Sequence, residues 1–247
     1  MIPVVSRLTR SAGLFSLACC LASSQINPAR AAESAGAGLQ RQILDVIMKH
    51  PEVILESLSR YQQEQERIKE DKRAALIRSV SGSPAQYVAG SPIFGRESAK
   101  TTLFVFADFQ CPFCAKVRDS LQQFVVDNPG VSLVYKHYPI VSIHPEAMNA
   151  ARASWAAQSQ GKFWQFHDIL YSNQDRLGEE LYLKAASELG LDQMRFNADR
   201  KSEESEKAVK RDVELAEGLG ISGTPFFLMN GSTFSGYVDS SVLKQKL

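Results

Sequence analysis

The fold is decided by the apolar run Leu103-Phe104-Val105-Phe106 and, five positions after it, by the sequence Cys111-Pro112-Phe113-Cys114. The first run is apolar on both faces of a strand, as in a sheet that is covered by helices on both sides. The second run starts a segment with helical spacing, and Pro112 suits the first helical turn because the N–H that it lacks would have no partner there. The sequence therefore predicts a strand that leads into a helix, with two cysteines at the junction.

The spacing of the two cysteines indicates redox chemistry. Residues three apart on the first turn of a helix share a face, so the two sulfurs can close a disulfide. The free N–H groups and the positive dipole end of the helix stabilise a thiolate at Cys111, and the thiolate is the reactive form. Cys111 is therefore expected to be the exposed nucleophile with a low pKa, and Cys114 the more buried partner. A zinc site would need two further ligands at matched spacing, and the sequence has no second C-x-x-C and no H-x-x-x-H.

Residues 1–31 have the layout of a secretory signal peptide: a basic start, a short apolar core and an A-x-A pattern that ends at Ala31. The apolar core is too short to span a membrane. Neither Cys19 nor Cys20 fits the sequence of a lipoprotein acceptor site, so we expect a soluble protein exported to the periplasm.

Removal of residues 1–31 leaves Cys111 and Cys114 as the remaining cysteines of the four in the sequence. A structural disulfide across a two-residue gap stabilises little, because the loop that it closes is short. Removal also leaves 25 basic against 27 acidic side chains, a balance that does not indicate a nucleic-acid or anionic-membrane binder. The cysteine pair is thus expected to take part in a reaction rather than to stabilise the fold.

A helical stalk is predicted over residues 32–80. Apolar residues recur at helical spacing on both sides of His50-Pro51, where the proline should end one helix and begin the next. Residues 62–73 are almost wholly polar, and a helix this polar cannot be stabilised by burial in a single core. We interpret the segment as an oligomerisation stalk; a solvated helix that packs loosely on its own domain is the alternative.

The remaining chain, residues 86–247, has the pattern of an α/β domain. A strand, a helix and a second strand at Val131–Tyr135 are followed by an almost continuous helical block at about residues 144–218. A short apolar run then leads through Asn230-Gly231, a hairpin signal, to a last helix.

Several motifs in order resemble the DsbA-type oxidoreductases of the thioredoxin fold. The motifs are Phe104 to Cys114, Lys136-His137-Tyr138-Pro139, His144-Pro145, Gly161 to His167, and Leu219 to Phe227. The resemblance implies an α/β thioredoxin fold with an inserted helical domain. Residues 39–61 also resemble the N-terminal segment of stalked relatives such as the suppressor-of-copper-sensitivity protein C group, in which this segment holds two or three protomers together.

The resemblance also implies the site and its partners. Thr224-Pro225 should be a cis peptide bond beside Cys111, which presents the Thr224 backbone to an extended substrate strand and places its hydroxyl near the thiolate. Catalysis is thus assigned to Cys111, Cys114, Thr224 and Pro225, with Pro112 and Phe113 completing the motif. Val105 stands where many thioredoxin-fold enzymes carry a buried acid, so a proton relay through that carboxylate is absent.

The implied function is disulfide formation, reduction or isomerisation in unfolded or misoxidised exported proteins, with no cofactor or bound metal. The implied partners are a membrane redox protein of the DsbB or DsbD type and one or two further copies of this chain, with no role for nucleic acid. The alternative function is a metal-handling protein that binds Cu(I) through the same two thiolates. A third hypothesis is a structural or antigenic envelope protein, and the intact C-P-F-C and T-P motifs argue against it.

Overall fold

The structure is a computed structural model that describes residues 28–247, with the surroundings of side chains described from residue 37 onward. The predicted signal peptide therefore lies almost entirely outside the described residues. The helices in chain order are α1 (Pro28–Lys49), α2 (Glu52–Gly82), α3 (Ala85–Val88), α4 (Pro112–Asp127), α5 (Ala147–Gln158), α6 (Phe163–Ser172), α7 (Glu179–Glu188), α8 (Gln193–Asp199), α9 (Glu203–Gly218) and α10 (Ser240–Lys244). The strands are β1 (Ile93–Gly95), β2 (Thr101–Ala107), β3 (Val131–His137), β4 (Phe226–Met229) and β5 (Ser232–Ser235).

The five described strands form one mixed sheet in the order β1-β3-β2-β4-β5. The central strand β2 pairs in parallel with β3 and antiparallel with β4, so that Val105 lies between Tyr135 and Phe227. Alternate residues of β2 enter two separate apolar clusters, Leu103 and Val105 in one and Phe104 and Phe106 in the other. The prediction of a central strand buried on both faces is correct.

A helical region separates β3 from β4, as the sequence predicts, and it consists of α5 to α9 with a short 3-10 helix at Gln174–Arg176. Six alanines of α5 are buried, and their small side chains let neighbouring helices approach closely: Ala147, Ala150, Ala151, Ala153, Ala156 and Ala157. The predicted hairpin at Asn230-Gly231 is also present, since both residues have positive φ values and join β4 to β5. These elements place the cis peptide bond discussed below just before β4.

The chain divides into two compact units, of which the first ends at Gln62 and the second spans Gln63–Leu247. In the first unit α1 ends at Lys49 and α2 begins at Glu52, so the predicted interruption at His50-Pro51 is present. Among residues 37–62, ten large apolar side chains are exposed: Leu39, Ile43, Leu44, Val46, Met48, Val53, Ile54, Leu55, Leu58 and Tyr61.

The C-terminal part of α2 is packed into the second unit. Val80 is fully buried, and Leu76 and Ile77 pack against the cluster formed by Phe104, Phe106 and their neighbours. A Cβ atom at Gly218 would lie 2.8 Å from the Leu76 side chain, so this contact requires a glycine at the end of α9. Among residues 28–247, no helix combines the length and apolar character needed to cross a bilayer.

Candidate active site

The two cysteines lie at the junction of β2 and α4, where the sequence predicts them. β2 ends at Ala107, a turn follows, and Cys111 caps the N-terminus of α4 with Pro112 in the first turn. The backbone N–H groups of Cys114 and Ala115 donate to the Cys111 carbonyl oxygen and thereby start the helix. Cys111 and Cys114 are both free thiols, so the structure represents the reduced pair.

The helix N-terminus and the partner thiol make Cys111 acidic. The pKa of Cys111 is lowered to about 5, chiefly because the Cys114 thiol donates a hydrogen bond to the Cys111 sulfur. Burial of the sulfur opposes this shift, while the Thr224 side chain and the backbone N–H groups of Cys114 and Phe113 support it. The pKa of Cys114 is instead raised well above its usual value, first by burial and then by its role as hydrogen-bond donor to Cys111. One sulfur is therefore poised as a thiolate and the other as a thiol.

Thr224 and Pro225 lie beside the pair, although more than a hundred positions separate them from it in the chain. The Thr224-Pro225 peptide bond is cis, as predicted. The Cys111 thiol donates to the Thr224 carbonyl oxygen over 3.3 Å. The Thr224 hydroxyl is buried and has no hydrogen-bond partner in the described part of the chain while both cysteines hold their protons. It still lowers the pKa of both thiols, because it can donate to a sulfur once that sulfur is ionised.

The expected exposure of Cys111 is wrong. Its exposed fraction is 4%, hardly more than the 2% of Cys114. The physical reason is that the loop containing Thr224 covers the sulfur and accepts its hydrogen bond. The surface of the motif is instead formed by Pro112 and Phe113, both exposed, with the Lys116 ammonium 5.5 Å from the centre of the Phe113 ring.

Asp108 holds the turn that precedes Cys111, and sequence reasoning gave it no part in the site. Its fully buried carboxylate accepts three hydrogen bonds, from the backbone N–H groups of Gln110 and Ile140 and from Nδ1 of His144, each over 2.8 Å. The side chain therefore ties the loop after β3 to the active-site turn. An aspartate two residues before the N–H that it accepts is a known turn signal, so the Gln110 contact could have been predicted.

Gln174 holds the same turn from the helical region. Its side-chain Nε2 donates to the carbonyl oxygens of Phe109 and Cys111 over 2.7 and 3.0 Å. The Phe109 carbonyl oxygen would otherwise lack a donor, whereas the Cys111 carbonyl oxygen also accepts the backbone N–H groups of Cys114 and Ala115. The sequence has no signal for this contact, because a lone glutamine in a helical block has no distinguishing pattern.

The wall beneath Cys114 is mainly apolar and aromatic. Val105 and Pro225 line it together with Tyr135 and Tyr171, whose hydroxyls lie 2.9 Å apart. Burial raises the pKa of both tyrosines well above the usual value. Val105 thus occupies this wall in place of a buried acid, and the two tyrosines beside it stay uncharged near neutral pH.

Two of the four histidines, His137 and His167, share one aromatic cluster, and the other two lie elsewhere. Burial lowers the pKa of His137 to about 4 and also lowers that of His167, and both rings lie in the aromatic cluster around Tyr135. His144 contacts Asp108, and His50 lies in the first unit beside Glu52. Within the described residues no group of three or more histidine, cysteine or acidic side chains has a geometry suited to a metal ion.

The sequence and fold of this chain are similar to those of known thioredoxin-like proteins. A family model described as thioredoxin matches residues 88–247. A thioredoxin-like oxidoreductase from Silicibacter pomeroyi DSS-3 is 32% identical with a TM-score of 0.60, over 64% of this chain and 90% of that one. The thiol-disulfide exchange protein alpha-DsbA2 from Wolbachia pipientis is 23% identical with a TM-score of 0.62, over 71% and 96% of the two chains. Proteus mirabilis ScsC in a transitional conformation is 21% identical with a TM-score of 0.60, over 86% and 95%.

Curated sequences of greater length also match. The Na(+)/H(+) antiporter NhaA 3 of Salinispora tropica is 36% identical over 142 residues, which are 58% of this chain and 22% of that protein. This chain spans about a quarter of the length of the curated relatives that it matches.

Proposed function

Because this chain belongs to the thioredoxin family and has the DsbA-type fold that its sequence predicts, we propose that it is an exported thiol–disulfide oxidoreductase that acts on protein substrates. The catalytic residues are Cys111 and Cys114, assisted by Thr224 and Pro225. The observation that carries the proposal is the position of Cys111 at the N-terminus of α4, where its sulfur lies 3.3 Å from the carbonyl oxygen of Thr224 in the cis Thr224-Pro225 bond. The opposite shifts of the two thiol pKa values, lowered to about 5 at Cys111 and raised at Cys114, support it.

In the oxidising direction a substrate thiolate attacks the Cys111 sulfur of the Cys111–Cys114 disulfide. The disulfide breaks, its electron pair goes to Cys114, and Cys114 takes up a proton because its pKa is high. A second substrate thiolate then attacks the substrate sulfur of the mixed disulfide and releases Cys111 as a thiolate. The substrate loses two electrons and two protons, of which one proton stays on Cys114 and one goes to solvent.

In the reducing direction the Cys111 thiolate attacks a substrate disulfide, and Cys114, once deprotonated, resolves the mixed disulfide. Isomerisation uses the same first step, but a different substrate thiolate displaces Cys111, so no net electrons are transferred. The low pKa of Cys111 serves all three reactions: it keeps the nucleophile ionised at neutral pH and makes it a good leaving group.

The Thr224 backbone provides the surface on which a substrate strand would lie. Its carbonyl contacts the Cys111 thiol, so a strand paired with this loop brings its own cysteine to the reactive sulfur. Exposed Pro112 and Phe113 border the same place and offer apolar contact to an unfolded chain.

The exposed apolar residues of the first unit support assembly into a homodimer or homotrimer. A contiguous apolar helix surface in water is normally covered by a partner, and a second copy of this chain would bring a matching surface. Several active sites in one particle favour the isomerase or reductase direction, since a misoxidised substrate can then be held by more than one copy. A membrane redox protein of the DsbB or DsbD type would set the resting state of the pair, in the periplasm.

Thiol trapping in cells tests the proposal and separates its directions. The exported chain is alkylated rapidly in acid, and the oxidised and reduced forms are resolved by mass. A largely oxidised pair indicates an oxidase, and a largely reduced pair indicates an isomerase or reductase. The purified protein should also restore activity to reduced or scrambled ribonuclease; a wild-type protein as inactive as Cys111→Ser in both assays would refute the oxidoreductase proposal.

The Cu(I) alternative uses both sulfurs as thiolate ligands, and Cys114 makes this costly. Its pKa is raised well above the usual value by burial, so binding must first remove a proton that the protein holds tightly. Tight Cu(I) binding by a protein that leaves dithiol substrates untouched would favour the metal-handling function instead.

A further inference from the structure

Arg73 stands out in the second unit because it reaches from α2 to the loop that precedes the cis peptide bond. Its Nε donates to the Leu219 carbonyl oxygen over 2.8 Å. The approach is close: a Cβ atom at Gly220 would lie 3.2 Å from the Arg73 Cδ and 3.3 Å from its Nε. Gly220 also has a φ of +69°, which favours glycine, so the turn can accept the arginine without rearrangement.

The same arginine borders a surface pocket of about 370 Å³ beside the active site. The pocket is lined by Arg73, Ser222, Thr224, Pro225, Phe226 and Ser235, among others. Thr224 and Pro225 thus face this pocket while the Thr224 carbonyl contacts Cys111. A substrate strand that lies along Thr224 would pass over the pocket.

Arg73 is the charged side chain among the residues that line this pocket, and its neighbours there are hydroxyls, glycines and apolar groups. Its side chain is 32% exposed, so part of it remains open to solvent while Nε is held by the Leu219 carbonyl oxygen. Because Nε is held by Leu219, the two Nη groups are kept in a defined plane. That fork matches the geometry of a carboxylate.

One protein carboxylate competes weakly for this fork. Glu70 Oε2 lies 3.5 Å from Nη1, and the Glu70 side chain is 67% exposed. A contact of this length with an exposed partner contributes little energy, so a carboxylate from another molecule can displace it.

We propose that Arg73 forms a carboxylate-binding subsite for protein substrates, so that thiol exchange is faster when Asp or Glu lies near the reacting cysteine. This inference rests on the proposed function, because the subsite lies beside the proposed catalytic pair. Arg73 selects the substrate and does not take part in the exchange itself. The chemical class that it recognises is an acidic, extended peptide.

The test uses short peptides that carry one cysteine as a mixed disulfide with thionitrobenzoate. Attack by reduced Cys111 joins the peptide sulfur to Cys111 and releases the coloured thiolate, so its absorbance gives a second-order rate constant. Paired peptides differ only in Asp or Asn at one position, scanned over the residues that flank the cysteine. With the wild-type protein we expect the Asp peptide to react roughly two- to fivefold faster at the best position, and this ratio to shrink at high salt.

Variants then test whether Arg73 causes the preference for the Asp peptide. Arg73→Met should bring the ratio to about one, while Lys72→Met, which removes an exposed cation from the same helix, should leave it unchanged. Glu70→Gln should raise the ratio by removing the competing carboxylate. If Arg73→Met is poorly folded, the salt dependence of the ratio and the effect of Glu70→Gln on it still test whether the subsite exists.

The results distinguish a failure of the Arg73 subsite from a failure of the proposed thiol-exchange function. Equal rates for both peptides at every position, or a ratio that Glu70→Gln, salt and Arg73→Met all leave unchanged, would overturn the subsite. An equal loss of rate for both peptides in Arg73→Met would also overturn it, since that is the effect of a purely structural arginine. If neither peptide releases thionitrobenzoate with the wild-type protein, the thiol-exchange function itself fails.

Discussion

The Cys111 thiol lies 3.3 Å from the carbonyl oxygen of Thr224, a residue 113 positions later in the chain. The contact joins the N-terminus of α4 to the loop before β4, two elements that meet because β2 and β4 are adjacent strands. It places the reactive sulfur where a strand bound to that loop would present its own cysteine. It also covers the sulfur, so the chemistry depends on ionisation as much as on access.

The pH dependence of Cys111 is the first prediction. With a pKa of about 5, Cys111 in the reduced protein should be alkylated by iodoacetamide at a rate that rises through pH 5 and is level by about pH 7. Cys114 should stay unmodified over this range, because burial raises its pKa. The rate of carboxamidomethylation at each cysteine, followed by mass spectrometry, measures both. A Cys111 rate that keeps rising above pH 8 would contradict the stabilised thiolate.

The Thr224 hydroxyl should account for part of that stabilisation. Thr224→Val keeps the shape of the side chain but removes the donor, so the pKa of Cys111 should rise and the midpoint of the thiolate absorbance titration should move to higher pH. Thr224→Ser keeps the hydroxyl and serves as the matched control. A Thr224→Val midpoint equal to that of the wild-type protein would assign the low pKa to Cys114 and the helix N-terminus alone.

Gln174 should hold the turn that precedes the C-P-F-C motif, through its hydrogen bonds to the Phe109 and Cys111 carbonyl oxygens. Gln174→Ala removes the donor of the buried Phe109 carbonyl oxygen, while the Cys111 carbonyl oxygen keeps its two backbone donors, and we expect a loss of about 1–3 kcal/mol in the free energy of unfolding. The alkylation rate of Cys111 should change as well, since the carbonyl of Cys111 belongs to the first helical turn. Gln165→Ala, in the neighbouring helix α6 and exposed, is the control and should leave both quantities unchanged. Urea unfolding and alkylation kinetics on the same samples test this.

Gln174 also marks the limit of what the sequence could predict. The cysteine pair, the strand before it and the loop with Thr224-Pro225 carry local patterns, since each depends on residues a few positions apart. The contact made by Gln174 depends on how the helical region is docked onto the sheet, and no spacing within the chain encodes that. Arg73 is similar: its position was assigned to a polar helix surface, and only the docking of α2 on Gly218 and Gly220 brings it to the active site.

The exposure of Cys111 was wrongly predicted for a related reason. A residue at the N-cap of a helix is exposed when the helix is considered alone. The loop that covers it comes from the far end of the domain, and the resemblance that located this loop did not specify how closely it approaches the sulfur. Burial is set by tertiary packing, while the choice of Cys111 as the proposed nucleophile follows from its place on the helix.

Asp108 should be a large contributor to the stability of the site. Asp108→Asn keeps the size of the side chain but replaces one accepting oxygen with a donor, which then faces a backbone N–H group or His144. Because the group is fully buried, we expect the free energy of unfolding to fall by roughly 2–4 kcal/mol. Asp119→Asn removes an aspartate that is 81% exposed and should cost less than about 0.5 kcal/mol. Equal and small effects of the two substitutions in urea unfolding would show that the Asp108 contacts contribute little.

Truncation before Gln63 tests the predicted stalk. The second unit keeps Leu76, Ile77 and Val80 of α2, so a chain that begins at Gln63 retains the helix contacts on which its core depends. It should be a folded monomer by light scattering, with the same Cys111 alkylation profile as the longer chain but weaker activity on scrambled ribonuclease.

The chain that begins at Ala32 should have two or three times the mass of one protomer, since its exposed apolar residues need a partner surface. Replacing Leu55 and Leu58 with glutamate in that longer chain should dissociate it without touching the second unit, because both residues lie in the first. A chain from Ala32 that is monomeric at high concentration would contradict the stalk, and isomerase activity that survives dissociation would show that a single site is sufficient.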